Sequence, residues 1–300
     1  MVARTNTTRP LVAIVGPTAS GKTGLAVDIA LKFNGEIISA DSWLVRRGLD
    51  IGTAKPSQNL RKLVPHHLID IINPEEDFSA AAYKVLAEDE IAAVMERGRL
   101  PILVGGTGLY VDSVLFNFSF LPAGDQYERR RLNQQSLESL LAEAKKKGID
   151  LSAIDIRNKR RIIRAIETNG GIATKGHIRP NTLIVGLWAE KTQLQLTICE
   201  RVQRMLEDGL MEEVAGLVHE YGWGCEGLKG IGYSEWKEYF AGTQTLAITT
   251  ERIIKDTLEL AKRQQTWLKR NKSIQWYPTP VNVAAVEALI TTFLNKSGTA

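Results

Sequence analysis

The chain has 300 residues, enough for one large or two modest domains with their own cores. Its 44% hydrophobic and 24% charged residues exclude a disordered or fibrous chain, and no run of about eighteen apolar residues reads as a membrane span. A net charge of only +4 does not by itself imply a nucleic-acid partner.

Residues 1–10 are polar, without the apolar stretch of a secretory signal. Leu11 to Val15 reads as a buried strand, followed directly by Gly16-Pro17-Thr18-Ala19-Ser20-Gly21-Lys22-Thr23 and then by helical spacing through Phe33. This G-x-x-x-x-G-K-T spacing, with a strand before and a helix after, predicts a phosphate-binding loop. Its glycines allow amide groups to converge on phosphate oxygens, Lys22 adds a cation, and Thr23 offers a hydroxyl to magnesium. A second strand, Glu36 to Ala40, delivers Asp41 to the carboxyl edge of the sheet. There it can act as a base or hold a metal-bound water, or simply cap a following helix. His66 and His67 are adjacent and lack a third ligand, so no metal site is expected there.

Ser79 to Arg97 reads as an amphipathic helix capped by Ser79, and Leu100 to Val104 as another strand. That strand ends in Gly105-Gly106-Thr107-Gly108, not in the acidic residue that orders magnesium in nucleotide hydrolases. Strands alternating with helices imply an α/β fold, a P-loop NTPase-like parallel sheet flanked by helices.

From Gly124 to Glu167 the pattern is helical and basic, and Thr182 to Trp188 returns to a strand, so a smaller all-helical domain is inserted. The boundaries read as 1–118 for the first part of the core, 119–170 for the insert, 171–285 for the rest of the core and 286–300 for a last helix and tail. Gln193 to Tyr221, Ser234 to Phe240 and Thr249 to Arg270 are expected helices, and Asn295 to Ala300 a frayed end. Basic clusters fall at 129–131, at 157–164 and at 262–272, each equally able to be a solvated helix face. Cys199 and Cys225 cannot make a disulfide framework and read as thiols of a reducing cytoplasm.

Taken together, GPTASGKT (16–23), EIISADS (36–42), GLDIGTAKP (48–56), PHHLID (65–70), LPILVGGTGLY (100–110), RIIRAIE (161–167), GIGY (230–233) and AKRQQTW (261–267) resemble the tRNA dimethylallyltransferase family over nearly the whole chain. The resemblance implies that the loop holds dimethylallyl diphosphate, not ATP, with Mg2+ on Thr23. It implies that Asp41 activates the exocyclic amine of an adenine beside the anticodon of tRNA, with Thr18 and Lys22 serving the leaving diphosphate. It further implies tRNA contacts from Asp41, Ser42, Trp43, Leu44, Thr107, Arg131, Arg160, Arg161, Arg164, Lys229, Gly232 and Tyr233. The insert would embrace the anticodon stem-loop, so that the adenine enters flipped. Nothing in the sequence demands a second copy, so a monomer is expected.

The chain departs from the family pattern at Leu44, where Gln is usual, at Arg46, where Tyr is usual, and at Thr197 and Leu258, where arginines are usual. Arg160 stands where Gln is common, and the insert is somewhat short. Trp267 reads as core packing rather than a base-stacking residue. Three competing readings are an adenylate isopentenyltransferase, a P-loop small-molecule kinase, and a non-catalytic tRNA-binding relic.

Overall fold

The computed structural model describes residues 9–298 apart from 123 and 153. The reading of 1–8 as free of a signal therefore lies outside the described residues, as does the extreme C-terminus. The chain divides into two units, one running to Leu115 and resuming at Ile178, the other formed by Phe116–His177.

The first unit is built on a six-stranded parallel sheet ordered β3-β2-β4-β1-β5-β6. Its strands are β1 Leu11–Val15, β2 Gly35–Ser39, β3 His66–His67, β4 Leu100–Gly105, β5 Thr182–Trp188 and β6 Ile274–Pro278. The central strands β1, β2 and β4 are buried at every residue, which is why β1 and β4 read as continuous apolar runs rather than alternating ones. This is the α/β, P-loop-like parallel sheet that the sequence predicts.

Between these strands run α1 Lys22–Lys32, α2 Gln58–Leu63, α3 Ala80–Glu96 and α4 Gly108–Leu115. Ser79 caps α3, its side chain accepting from the amide of Ala82. Helices α5 Gln126–Gln134, α6 Leu137–Lys146 and α7 Lys159–Glu167 make up the second unit. They bury their own cluster of Leu132, Leu140, Ala144, Ile162, Ile163 and Ile166. The chain then returns through α8 Lys191–Glu207, α9 Leu210–Tyr221, α10 Lys237–Phe240, α11 Leu246–Leu268 and α12 Val283–Lys296. One core packs α1 and α12 on the sheet; another packs α8, α9 and α11 around the buried Tyr233 and Trp236.

Four points differ from the sequence expectation. The single helix through 193–221 is two helices, because Gly209 takes the left-handed conformation (φ 95°) and turns the chain. The strand β6 was not anticipated, and the helix expected from Thr249 begins at Leu246. Asn295 and Lys296, read as frayed, belong to α12.

Candidate functional site

Strand β1 feeds the loop 16–23, which opens onto α1. Ala19 and Gly21 both have positive φ, 61° and 79°, so the loop curls back on itself. Ser20 Oγ donates to the Pro17 carbonyl at 2.8 Å and Lys22 Nζ to the same oxygen at 2.5 Å. No side chain caps α1, which leaves its amide groups and positive dipole end available to an anion. Burial pushes the Lys22 ammonium down to about pKa 8; Asp41 raises it somewhat and Arg201 lowers it further.

A cavity of about 320 Å³ lies against this loop. Residues 18–23, Asp41, Lys55, Arg201 and Gln264 supply polar wall, while Ile37, Leu44, Leu60, Ile69 and Val104 supply apolar wall. A second, smaller cavity, lined by Trp43, Gly52, Ile231 and Gly232 among others, shares Thr18, Asp41, Thr53, Arg201 and Gln264 with the first. Asp41 thus faces both spaces.

Asp41 follows β2 but does not cap a helix: the next residues form turns, and its Oδ1 accepts from the Trp43 amide at 2.9 Å. The other carboxylate oxygen is left for a ligand. Thr107 fixes this segment, its Oγ1 accepting from the Ser42 amide at 3.1 Å and donating to Ser42 Oγ at 3.3 Å. The glycines beside Thr107 allow close approach. A Cβ on Gly105 would lie 2.2 Å from the Ala40 carbonyl oxygen, and one on Gly106 would lie 2.6 Å from Gln264 Nε2. A Cβ on Gly108 would meet the Trp267 ring at 2.3 Å. Trp267 is packing, as expected, with its indole donating to Asp112 at 3.1 Å.

Sequence reasoning missed Arg201 and Gln264. Gln264 Oε1 accepts from the Thr18 amide at 2.7 Å. Arg201 donates to Thr18 Oγ1 and to the Thr53 carbonyl, both at 3.2 Å, and its buried Nε has no partner. A signal was present: Leu194, Ile198, Val202 and Met205 form the buried stripe of α8, and Arg201, three residues after Ile198, stands beside it as a cation among apolar residues. Thr197 instead returns its hydroxyl to the Gln193 carbonyl, and Leu258 packs into the core beneath. Arg46 is buried and donates to the carbonyls of Pro74 and Glu76, both at 2.7 Å, so it anchors a neighbouring loop.

The charged side chains of the remaining candidates have partners of their own or are exposed. Arg131 in α5 is held by Glu128 and Glu143, each at 2.7 Å. Arg164 in α7 donates to the Leu121 carbonyl at 2.6 Å, while Arg160 and Arg161 are exposed on that helix. Lys229 pairs with Glu226. Gly232, with φ 91°, lines the smaller cavity, but Tyr233 is fully buried and its hydroxyl donates to Glu213. The Tyr233 side chain is therefore out of reach of a nucleic-acid surface. His67 lies between Glu36 (2.6 Å) and Glu90 (3.1 Å), as an ion-paired group, and among the described residues no group of three His, Cys, Asp or Glu side chains is arranged so that it could hold a metal ion. Cys199 and Cys225 are free thiols, and no helix among the described residues is long and apolar enough to cross a membrane.

The IPP transferase family model matches residues 44–271. The tRNA dimethylallyltransferase of Pelotomaculum thermopropionicum is 41% identical, with 95% of each chain covered. That of Bacillus subtilis is 37% identical, with 91% of each covered. The full-length tRNA isopentenylpyrophosphate transferase of Bacillus halodurans, a solved structure, superposes with a TM-score of 0.75 at 37% identity, covering 96% of this chain and 98% of that one.

Proposed function

Because the chain belongs to the IPP transferase family, we propose that it transfers a dimethylallyl group from dimethylallyl diphosphate to the exocyclic amine of an adenine in tRNA, beside the anticodon. The observation that carries the reading is the form of the cavity. It is lined by the phosphate-holding groups of the loop, by the apolar residues Ile37, Leu44, Leu60, Ile69 and Val104, and by Asp41, which also lines a second space. An allylic diphosphate has the same division into an anionic head and a hydrocarbon tail.

The loop amides, Lys22 and Arg201 bind the diphosphate, and Thr18, held by Gln264 and Arg201, stands beside it. The free oxygen of Asp41 accepts a proton from the adenine amine as its nitrogen bonds to the allylic carbon. The carbon–oxygen bond breaks, and the electron pair leaves with pyrophosphate, whose added charge the two cations meet. Leu44 contributes to the apolar wall, so hydrogen-bonded reading of the base falls to other groups. The protein supplies few oxygen ligands here, chiefly the Thr23 hydroxyl with Asp41 nearby, which suits magnesium held largely by water and diphosphate. When bound, that ion neutralises charge on the leaving group.

The basic, exposed Arg160 and Arg161 are assigned to the tRNA backbone, and the protein to the cytoplasm, where tRNA is found. Incubation with dimethylallyl diphosphate, magnesium and unmodified tRNA, followed by nucleoside mass spectrometry, tests the reading. Isopentenyladenosine in tRNA supports it. Turnover only on free adenylates, or only with ATP as donor, sinks it, and tRNA binding without turnover points to a relic.

A further inference from the structure

Glu213, in the first turn of α9, does not line either cavity, yet it makes four hydrogen bonds to one short loop and its backing. Its Oε2 accepts from the amides of Asp50 (3.0 Å) and Ile51 (2.8 Å). Its Oε1 accepts from the amide of Gly52 (3.1 Å) and from the hydroxyl of Tyr233 (2.7 Å). Three consecutive amides converging on one carboxylate fix the loop as a rigid unit. The fit is tight from behind, since a Cβ on Gly52 would lie 2.5 Å from the Tyr233 ring. Gly232 is in the left-handed region, and a Cβ on it would lie 3.3 Å from the Gly52 carbonyl oxygen.

The loop's next residue reaches the site. The Thr53 carbonyl accepts from Arg201, whose other guanidinium nitrogen donates to Thr18 Oγ1. Farther along, buried Lys55 donates to the Arg46 carbonyl at 2.8 Å and to Asp70 at 2.6 Å, so the loop is tied at both ends. A continuous chain of bonded groups thus runs from Tyr233 and Glu213 through residues 50–53 to Arg201 and the phosphate loop.

We propose that Glu213, backed by Tyr233, is a positioning residue for the diphosphate: it holds loop 50–53 so that the Thr53 carbonyl aims Arg201 at Thr18 and the bound anion. This rests on the reading of the cavity as a diphosphate site. It also gives the Gly230 to Tyr233 motif a part in donor binding rather than in a nucleic-acid surface. Glutamine at 213 keeps the size but turns an amide N–H toward one of the loop's donors, leaving a loop amide without its acceptor.

The test is pyrophosphate binding by calorimetry, without turnover, in wild type, Glu213→Gln, Arg201→Lys and the double variant, with folding checked by circular dichroism. Glu213→Gln should weaken binding about tenfold in the wild-type background and less than about twofold in the Arg201→Lys background. An unchanged affinity, or two effects that simply multiply, overturns the proposal, since a merely structural Glu213 has no reason to act through Arg201. Should Glu213→Gln fail to fold, Tyr233→Phe takes its place in the same cycle, with an expected weakening of about threefold that disappears in the Arg201→Lys background. Wild-type protein that binds pyrophosphate without prenylating tRNA defeats the proposed function while this cycle still decides the role of Glu213. Wild-type protein that binds no pyrophosphate overturns both.

Discussion

Lys22 gives the account its sharpest pH dependence. In the free protein its ammonium titrates at about 8 rather than 10.5, chiefly because it is buried, with Arg201 adding to the effect and Asp41 opposing it. A bound diphosphate brings negative charge against it and restores the charged form. The rate constant kcat/KM for the donor reports the free protein, so it should decline as Lys22 loses its proton, while kcat, which reports the bound state, holds to higher pH. With a value of about 8, roughly nine-tenths of the lysines are charged at pH 7 and about 3% at pH 9.5, a fall of about thirtyfold in kcat/KM. Steady-state kinetics with varied dimethylallyl diphosphate and tRNA held well below its KM measures this. Lys22→Arg, always charged, should start lower but stay flat over the same range. A wild-type profile flat to pH 9.5, or an equal fall in Lys22→Arg, would refute the assignment of Lys22 to the diphosphate.

Asp41→Asn should cut turnover by about 10²–10⁴ with tRNA affinity largely intact, checked by single-turnover rates and filter binding; abolished binding would make Asp41 structural. Without ligand, the unfolded chain holds the Lys22 proton to higher pH than the folded one, so stability should rise between about pH 8 and 10.5 in denaturant titrations. Saturating pyrophosphate should flatten that rise. Replacing Arg160, Arg161 and Arg164 together by Ala should reduce the salt dependence of tRNA binding by about 0.7–0.9 in log–log slope for each phosphate no longer neutralised. An unchanged slope would leave the cluster a solvated face. Gly105→Ala places a methyl on the Ala40 carbonyl and should cost about 1–3 kcal/mol by denaturant midpoint, together with activity.

The phosphate loop and the central strands were legible because buried parallel strands and loops that accept anions leave local signatures: an apolar run, then glycines at fixed spacing. Asp41 was legible because a strand's length fixes where its edge falls. What the sequence hid depends on packing between distant segments. Arg201 acquires meaning only when α8 lies across Thr18 and Thr53, more than 140 positions away. Glu213 looks like an ordinary acidic residue in a first turn until loop 50–52 folds onto it. Tyr233, for which the resemblance implies a tRNA contact, is buried by its packing against Gly52, a distant partner that the sequence does not mark. The strand β6 escaped because Ile274–Pro278 mixes a polar residue and a proline into a five-residue edge strand, whose partner is β5 alone. The departures at Thr197 and Leu258 leave the cavity with the cation of Arg201, one helical turn beyond Thr197.

The central claim is that the loop, Asp41 and the apolar wall form one device that moves a prenyl group from diphosphate to adenine. Dimethylallyl diphosphate labelled separately in its prenyl and phosphate halves tests it directly. Prenyl label should enter tRNA and labelled pyrophosphate should be freed in equal amounts, both falling together in Asp41→Asn. Pyrophosphate released without label entering tRNA, or phosphate label appearing in tRNA, would contradict it.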